Sequence, residues 1–252
     1  MDRVKLLVCG AAGIGKTELI GSLKCRLLHS LFRKRSASTL TQMILQRTYG
    51  MTVEQAAIPN AGNFSIWDFS GMKDYYIVHE QFLRMRNSVA MVMFSLRDPL
   101  EKQLAQVRFW LAMIKSKQPL SDVIHFAGEN PNKPHVILVG SFADQQRQYL
   151  LQAQQRLPTF SQVSQEEEEE DIFAAPLASN VLEQQQQGAN ESSEPPPENG
   201  RTVLRTMKEE FGKHFEFHES VFELDCRLSQ TTTVRALRQH LNVLRLQILK
   251  VN

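Results

Sequence analysis

Apolar positions along the chain fall into two patterns. Val4–Cys9, Val89–Leu96 and Val136–Val139 are short runs in which almost every position is apolar, as in strands covered on both faces. Thr52–Ile58 and Phe64–Phe69 predict two further strands, joined through "PNAG", a turn by its Pro, Asn and Gly. Between the runs the spacing becomes helical. Leu19, Ile20, Leu23, Leu27 and Leu31 recur at three- and four-residue intervals, and Glu101–Lys115 is a strongly amphipathic helix. A polar helix is expected from Asp144 to about Arg156, then a helix over Val203–Phe217, a strand over Val221–Leu224 and a last helix over Thr232–Leu249. Ser36–Gln46 is polar and Ser/Thr-rich and predicts a loop. The alternation predicts an α/β fold: a mostly parallel sheet of about six strands with one antiparallel edge and helices on both faces. Such a sheet places its ligand at the carboxyl ends of the strands.

One stretch breaks the pattern. From Pro158 to about Gly200 the chain carries "QEEEEED", "EQQQQ" and "ESSEPPPENG". A segment of this composition buries too little apolar area to offset its ordering entropy, so a disordered insert is expected over 158–200. It would divide one domain into an N-terminal part, 1–157, and a last strand with helices, 201–252. The chain's 252 residues, 42% hydrophobic and 22% charged, suffice for one good core or two small ones. The net charge of +2 argues against a dedicated nucleic-acid binder. It is unevenly spread, with a basic cluster at Arg33, Lys34 and Arg35 and an acidic run at Glu166–Asp171. Cys9, Cys25 and Cys226 are far apart and form neither a disulfide framework nor a metal pair, which suits a reducing, cytoplasmic setting. No signal peptide and no apolar run of membrane-spanning length is present in these residues. The chain starts almost on its first strand, as one module of a longer protein would.

The chemistry lies in "GAAGIGKT", residues 10–17, which matches Gly-x4-Gly-Lys-Thr between an expected strand and an expected helix. Gly10, Gly13 and Gly15, with Ile14 between them, form a loop whose backbone amides face an anion with no Cβ in the way. The helix that follows adds its positive dipole end. Lys16 is placed to contact the β- and γ-phosphates and Thr17 to offer its hydroxyl to Mg²⁺. In "IWDFSG", Asp68 ends a strand and Gly71 follows three residues later: a carboxylate for Mg²⁺ and a glycine amide for a γ-phosphate. In "RTYGMTV", Thr48 is the candidate that closes over the metal, with Thr52 as its competitor. Two other features point less sharply. His214 and His218 have the spacing of a helical metal pair without a third ligand, and Trp110 belongs either to the core or to an interface.

In this order, "GAAGIGKT", "TYG", "DFSG" and "ILVGSFAD" resemble the Ras-like GTPase superfamily. "FSIWDFSG", "VMFSLRDPLEKQLAQVRFWLAMIKS" and "VILVGSFAD" resemble more closely the Roc domain of Roco proteins, in the form found in death-associated protein kinases. The resemblance implies a Ras-like P-loop fold that binds GTP and GDP with Mg²⁺. Thr17, Thr48 and Asp68 would stand at the metal, Lys16 and Thr48 would act in catalysis, and Asp144 would read the guanine. It implies partners in neighbouring domains (ankyrin repeats, a kinase or a COR domain), a homodimer, and a role in intracellular signalling. The motif that reads the base, Asn/Thr-Lys/His-x-Asp, falls on Ser141-Phe142-Ala143-Asp144, which keeps the aspartate and leaves Phe142 to lie against the base. Asp225-Cys226-Arg227 falls where the family has Ser-Ala-Lys, and Met72 where it has a water-orienting glutamine. Slow hydrolysis is therefore expected, since a thioether does not orient water. Two further readings stay open on the residues alone: a pseudo-GTPase scaffold, and an ATP-binding P-loop module. No H-R-D or D-F-G set is present, so any kinase activity lies outside these residues.

Overall fold

The computed structural model describes residues 3–25, 48–84, 86–118, 133–156 and 199–251. Leu27, Leu31, the basic cluster at 33–35, the 36–46 loop, Arg47 and all but the last two residues of the expected insert lie outside the described residues.

The elements follow one another as β1 (Val4–Gly10), α1 (Lys16–Lys24), β2 (Met51–Ile58), β3 (Gly62–Phe69), β4 (Ser88–Ser95), α2 (Leu100–Ser116), β5 (His135–Ser141), α3 (Ala143–Arg156), α4 (Asn199–Phe211), β6 (Glu216–Phe217), β7 (Phe222–Leu224) and α5 (Thr232–Val251). The sheet order is β2-β3-β1-β4-β5-β6, with β7 also on β5. Among the described residues only the β2–β3 hairpin is antiparallel. Its turn uses positive φ at Asn60 (62°) and Gly62 (96°), residues that adopt this backbone at low cost.

The sheet has seven strands where six are expected. The sixth position is filled in two pieces: β6 pairs His135 and Val136 at the start of β5, and β7 pairs Val139 to Ser141 at its end. The helix expected over Val203–Phe217 is also redrawn. It starts earlier, at Asn199, and stops at Phe211, so that Phe215 is buried and Glu216–Phe217 join the sheet. Gly212 follows the last helical residue, where a Cβ would overlap the Lys208 carbonyl oxygen. His214 and His218 thus lie outside any helix, and among the described residues no cluster of three metal-ligating side chains forms.

Alternation along β1 sorts its side chains onto two cores. Val4, Leu6 and Val8 face Leu19 and Leu23 of α1 and Val234, Leu237 and Leu241 of α5. Leu7 and Cys9 face Val107, Trp110 and Ile114 of α2 and Val203, Met207 and Phe211 of α4. Trp110 is buried, with Tyr76 and Phe109 both packed edge-on against it, and so belongs to the core. A buried arginine joins the two helices of the first face. Arg238 on α5 donates to the carbonyls of Ser22 (2.7 Å), Leu23 (3.2 Å) and Cys25 (2.9 Å), which places its charge at the negative end of α1. Ser22 also donates to the Cys226 carbonyl at 2.6 Å, tying α1 to the loop after β7. Lys24, the last residue of α1, pairs with Glu54 on β2 at 2.7 Å.

Candidate functional site

Because β1, β3, β4, β5 and β7 run the same way, their carboxyl ends meet at one edge of the sheet, and the sequence motifs are gathered there. The glycine loop leaves β1 at Gly10 and enters α1 at Gly15. Gly10, Gly13 and Gly15 have φ of 148°, 76° and 89°, backbone that residues with a Cβ rarely adopt. A Cβ on Gly15 would also lie 3.0 Å from the Cys226 sulfur, which forms the floor of the loop. Gly71 is pressed against the same loop from the other side: a Cβ there would overlap the backbone of Ala11 and Ala12.

Lys16 is buried and folds back onto the loop, donating to the carbonyls of Gly10 (2.9 Å) and Ala11 (2.7 Å). Burial lowers its pKa to about 8, opposed by the nearby charge of Asp68. Thr17 donates to Asp68 Oδ2 at 2.5 Å. The Thr48 hydroxyl lies 3.1 Å from that of Thr17 and 3.4 Å from Asp68 Oδ2. The other oxygen, Asp68 Oδ1, is buried with no hydrogen-bond partner. Burial raises the Asp68 pKa, against the opposing pull of Thr17, Lys16 and Thr48. Two hydroxyls and a half-satisfied carboxylate, all oxygen donors, are the donor set that suits a hard divalent cation. Thr52 stands opposite Asp68 in the β2–β3 ladder as an exposed strand residue.

Gly50, two residues after Thr48, connects the segments on either side of β2 and β3. Its carbonyl accepts from the Ser70 amide at 2.9 Å and lies 3.0 Å from His79 Nε2. His79 is buried against Phe69 and Trp110 in a run of short helical turns, Lys73–Tyr75, Tyr76–His79 and Glu80–Phe82, that the hydrophobic pattern does not announce. Its pKa is lowered by burial, so the neutral ring is favoured. The Met72 amide bonds to Ser70 Oγ at 3.2 Å, and its thioether brings no donor toward the glycine loop.

At the far side of the edge, Asp144 begins α3. Its Oδ2 accepts from Arg227 at 2.8 Å, while Oδ1 is buried without a partner. Arg227 is in turn held by Asp225, through Nε at 2.8 Å and Nη2 at 2.7 Å. The Arg97 guanidinium lies 3.6 Å from the centre of the Phe142 ring. The structure therefore brings Gly10, Gly13, Ile14, Gly15, Lys16, Thr17, Thr48, Asp68 and Gly71 to one place and sets Asp144 at the neighbouring strand end. Sequence reasoning passed over His79 and Arg97. Arg97 carried one usable signal, its position just past the carboxyl end of a buried strand; His79 carried none.

The family model described as "Ras of Complex, Roc, domain of DAPkinase" matches residues 5–131. The chain belongs to the Roc family. The matched part of this Roc domain holds the glycine loop, Thr48, Asp68 and Gly71, whereas Asp144 and Arg227 lie beyond it. Among curated proteins it is similar to the death-associated protein kinase dapk-1 of Caenorhabditis elegans, 26% identical over 39% of this chain and 7% of that protein. It is similar also to the probable serine/threonine-protein kinase roco11 of Dictyostelium discoideum, 27% identical over 57% of this chain and 8% of that protein. The chain thus spans less than a tenth of the length of these relatives. Among solved structures, Methanosarcina barkeri Roco2 RocCORdC bound to GDP aligns over 98% of this chain and 50% of that one, with 16% identity and a TM-score of 0.48.

Proposed function

We propose that this Roc domain is a guanine-nucleotide switch. It binds GTP and GDP with Mg²⁺, hydrolyses GTP slowly, and reports the nucleotide through the segments carrying Thr48 and Gly71. The observation that carries this reading is the meeting of Thr17, Thr48 and the half-satisfied Asp68 carboxylate beside a buried Lys16 whose ammonium donates to loop carbonyls. Thr17, Thr48 and Asp68 would hold Mg²⁺, which when bound neutralises phosphate charge. Lys16 would exchange its carbonyl partners for phosphate oxygens, and the anion would offset the burial that depresses its pKa. The amides of the glycine loop and the first turn of α1 would supply the remaining donors. Asp144 would accept from the guanine N1 and N2 hydrogens through its carboxylate. Turnover is slow in this reading because Met72 positions no water.

The relatives' names as kinases support placement of the domain in a larger, cytoplasmic signalling protein. Ankyrin repeats, a kinase or a COR domain would be its neighbours, with homodimerisation as a means of regulation. Among the described residues no helix is long and apolar enough to cross a membrane. A second reading, a scaffold that does not turn over nucleotide, is favoured by one contact: Arg227 occupies one oxygen of the base-reading Asp144.

The deciding measurement is calorimetric titration of the nucleotide-stripped chain with GTP, GDP and ATP, each with Mg²⁺. The switch reading expects guanine nucleotides to bind at micromolar concentration or tighter and ATP much more weakly. No binding of any of them leaves the scaffold. Equal binding of ATP means that Asp144 does not read the base.

A further inference from the structure

The phosphate chemistry leaves one cluster unused, at the carboxyl ends of β4 and β5. Phe142 follows β5 with φ of 63°. Asparagine or glycine adopts this left-handed backbone readily; a bulky aromatic is held there only when its surroundings require it. The Phe142 ring is half-buried, and the Arg97 guanidinium covers it at 3.6 Å from the ring centre. Arg97 is anchored in turn, its Nη1 donating to Gln145 Oε1 on α3 at 3.2 Å. Beneath the pair the two strand ends are bonded together: the Leu96 amide donates to the Ser141 carbonyl at 3.1 Å, and Ser141 Oγ donates to the Phe94 carbonyl at 3.1 Å. Two residues beyond the ring lies the buried, unpartnered oxygen of Asp144.

We propose that Arg97 is a positioning residue for the purine base: it holds the Phe142 ring as a flat platform on which the base stacks beside Asp144 Oδ1. The inference rests on the guanine-nucleotide reading above. It divides the work of recognition. A stacked ring attracts any purine, because every base has a π-face. The Asp144 carboxylate chooses among purines, because it accepts from guanine N1 and N2 hydrogens and meets no such pair on adenine. Arg97 contributes a cation on the ring and fixes the ring's angle, so it acts through Phe142. At the same position a lysine would offer only its methylene stem.

The test titrates GDP, ADP and pyrophosphate, each with Mg²⁺, into the nucleotide-stripped chain and into Arg97→Ala, Arg97→Lys, Phe142→Ala and the Arg97→Ala/Phe142→Ala double variant. Phe142→Ala is expected to weaken GDP about tenfold or more. Arg97→Ala is expected to weaken it about threefold, with most of the loss restored in Arg97→Lys. The double variant should be no weaker than Phe142→Ala, since Arg97 has nothing to hold once the ring is gone. Pyrophosphate should bind all five chains alike. Single variants that bind GDP like the parent overturn the platform and leave the guanine reading standing. Tighter GDP binding by Arg97→Ala overturns it too, because Arg97 would then obstruct the base. Losses that reappear with pyrophosphate overturn it by tracing the effect to the phosphate loop. A parent that binds ADP as well as GDP ends the guanine reading alone, and the same variant series still judges the platform. A parent that binds no nucleotide ends both.

Discussion

Lys16, Gly71 and Met72 each make a separable claim about the site. Lys16→Ala is expected to abolish nucleotide binding in a titration while the circular dichroism spectrum stays that of the parent, because Lys16 bonds only to loop carbonyls and not to the core. Gly71→Ala places a methyl into the backbone of Ala11 and Ala12, so one of the two segments has to move. It should weaken GTP more than GDP, since the Gly71 amide is assigned to the γ-phosphate, and equal losses for both nucleotides would refute that assignment. Met72→Gln should raise the single-turnover rate of GTP hydrolysis; an unchanged rate would mean that water positioning is not the missing part. At this scale, legibility followed sequence distance. Gly15, Lys16 and Thr17 are neighbours in the chain, and their chemistry can be read there. His79 and Arg97 act on groups 29 and 48 residues away, and nothing beside them in the sequence marks those partners.

One element, α5, carries two predictions about stability. Arg238 spans α5 and the end of α1 through three carbonyls, and Arg238→Met removes the charged donor that these carbonyls share. A loss of about 2–3 kcal/mol is expected in denaturant unfolding, as for other hydrogen bonds to charged groups. The contact between α5 and the sheet edge is also sensitive to pH. His240 on α5 lies edge-on to His218, 4.1 Å between ring centres, and burial together with the charges of His218 and His135 lowers its pKa to about 4. Glu216 faces His135 across β5 and β6 at 3.3 Å. Between about pH 4 and 6.5 the unfolded chain therefore binds more protons at this position than the folded one, and stability falls as the solution is acidified through that range. The melting temperature should drop from pH 7 to pH 5, and drop less in His240→Phe. Strands β1, β4 and β5 were legible because burial on both faces makes their apolar runs nearly continuous, and β2 and β3 because a Pro-Asn-Ala-Gly turn joins them. The split edge was not. Phe215 and Phe217 continue the apolar spacing of α4, so the pattern extends the helix past Gly212, whereas the structure places Phe215 in the core and Glu216–Phe217 on β5.

For the molecule as a whole, the alternation of strands and helices implied the parallel sheet, and the sheet placed every motif at one end without further information. The choice between a switch and a scaffold is a property of this scale as well. A switch stabilises differently with its two nucleotides, so the melting temperature with Mg²⁺·GTP should differ from that with Mg²⁺·GDP at concentrations that saturate both; equal shifts would favour the scaffold. The feature with the widest reach is α1 itself. Its first turn carries Lys16 and Thr17, and its last carbonyls are held by Arg238, about 13 Å away at the rise of an α-helix. The helix is nine residues long, so its two ends are the two ends of one short rod. Thermodynamic reciprocity then applies to its two ends. Any load on α5 that shifts α1 alters the affinity of the glycine loop for its anion by some factor, and occupancy of the loop alters the affinity of α5 for that load by the same factor.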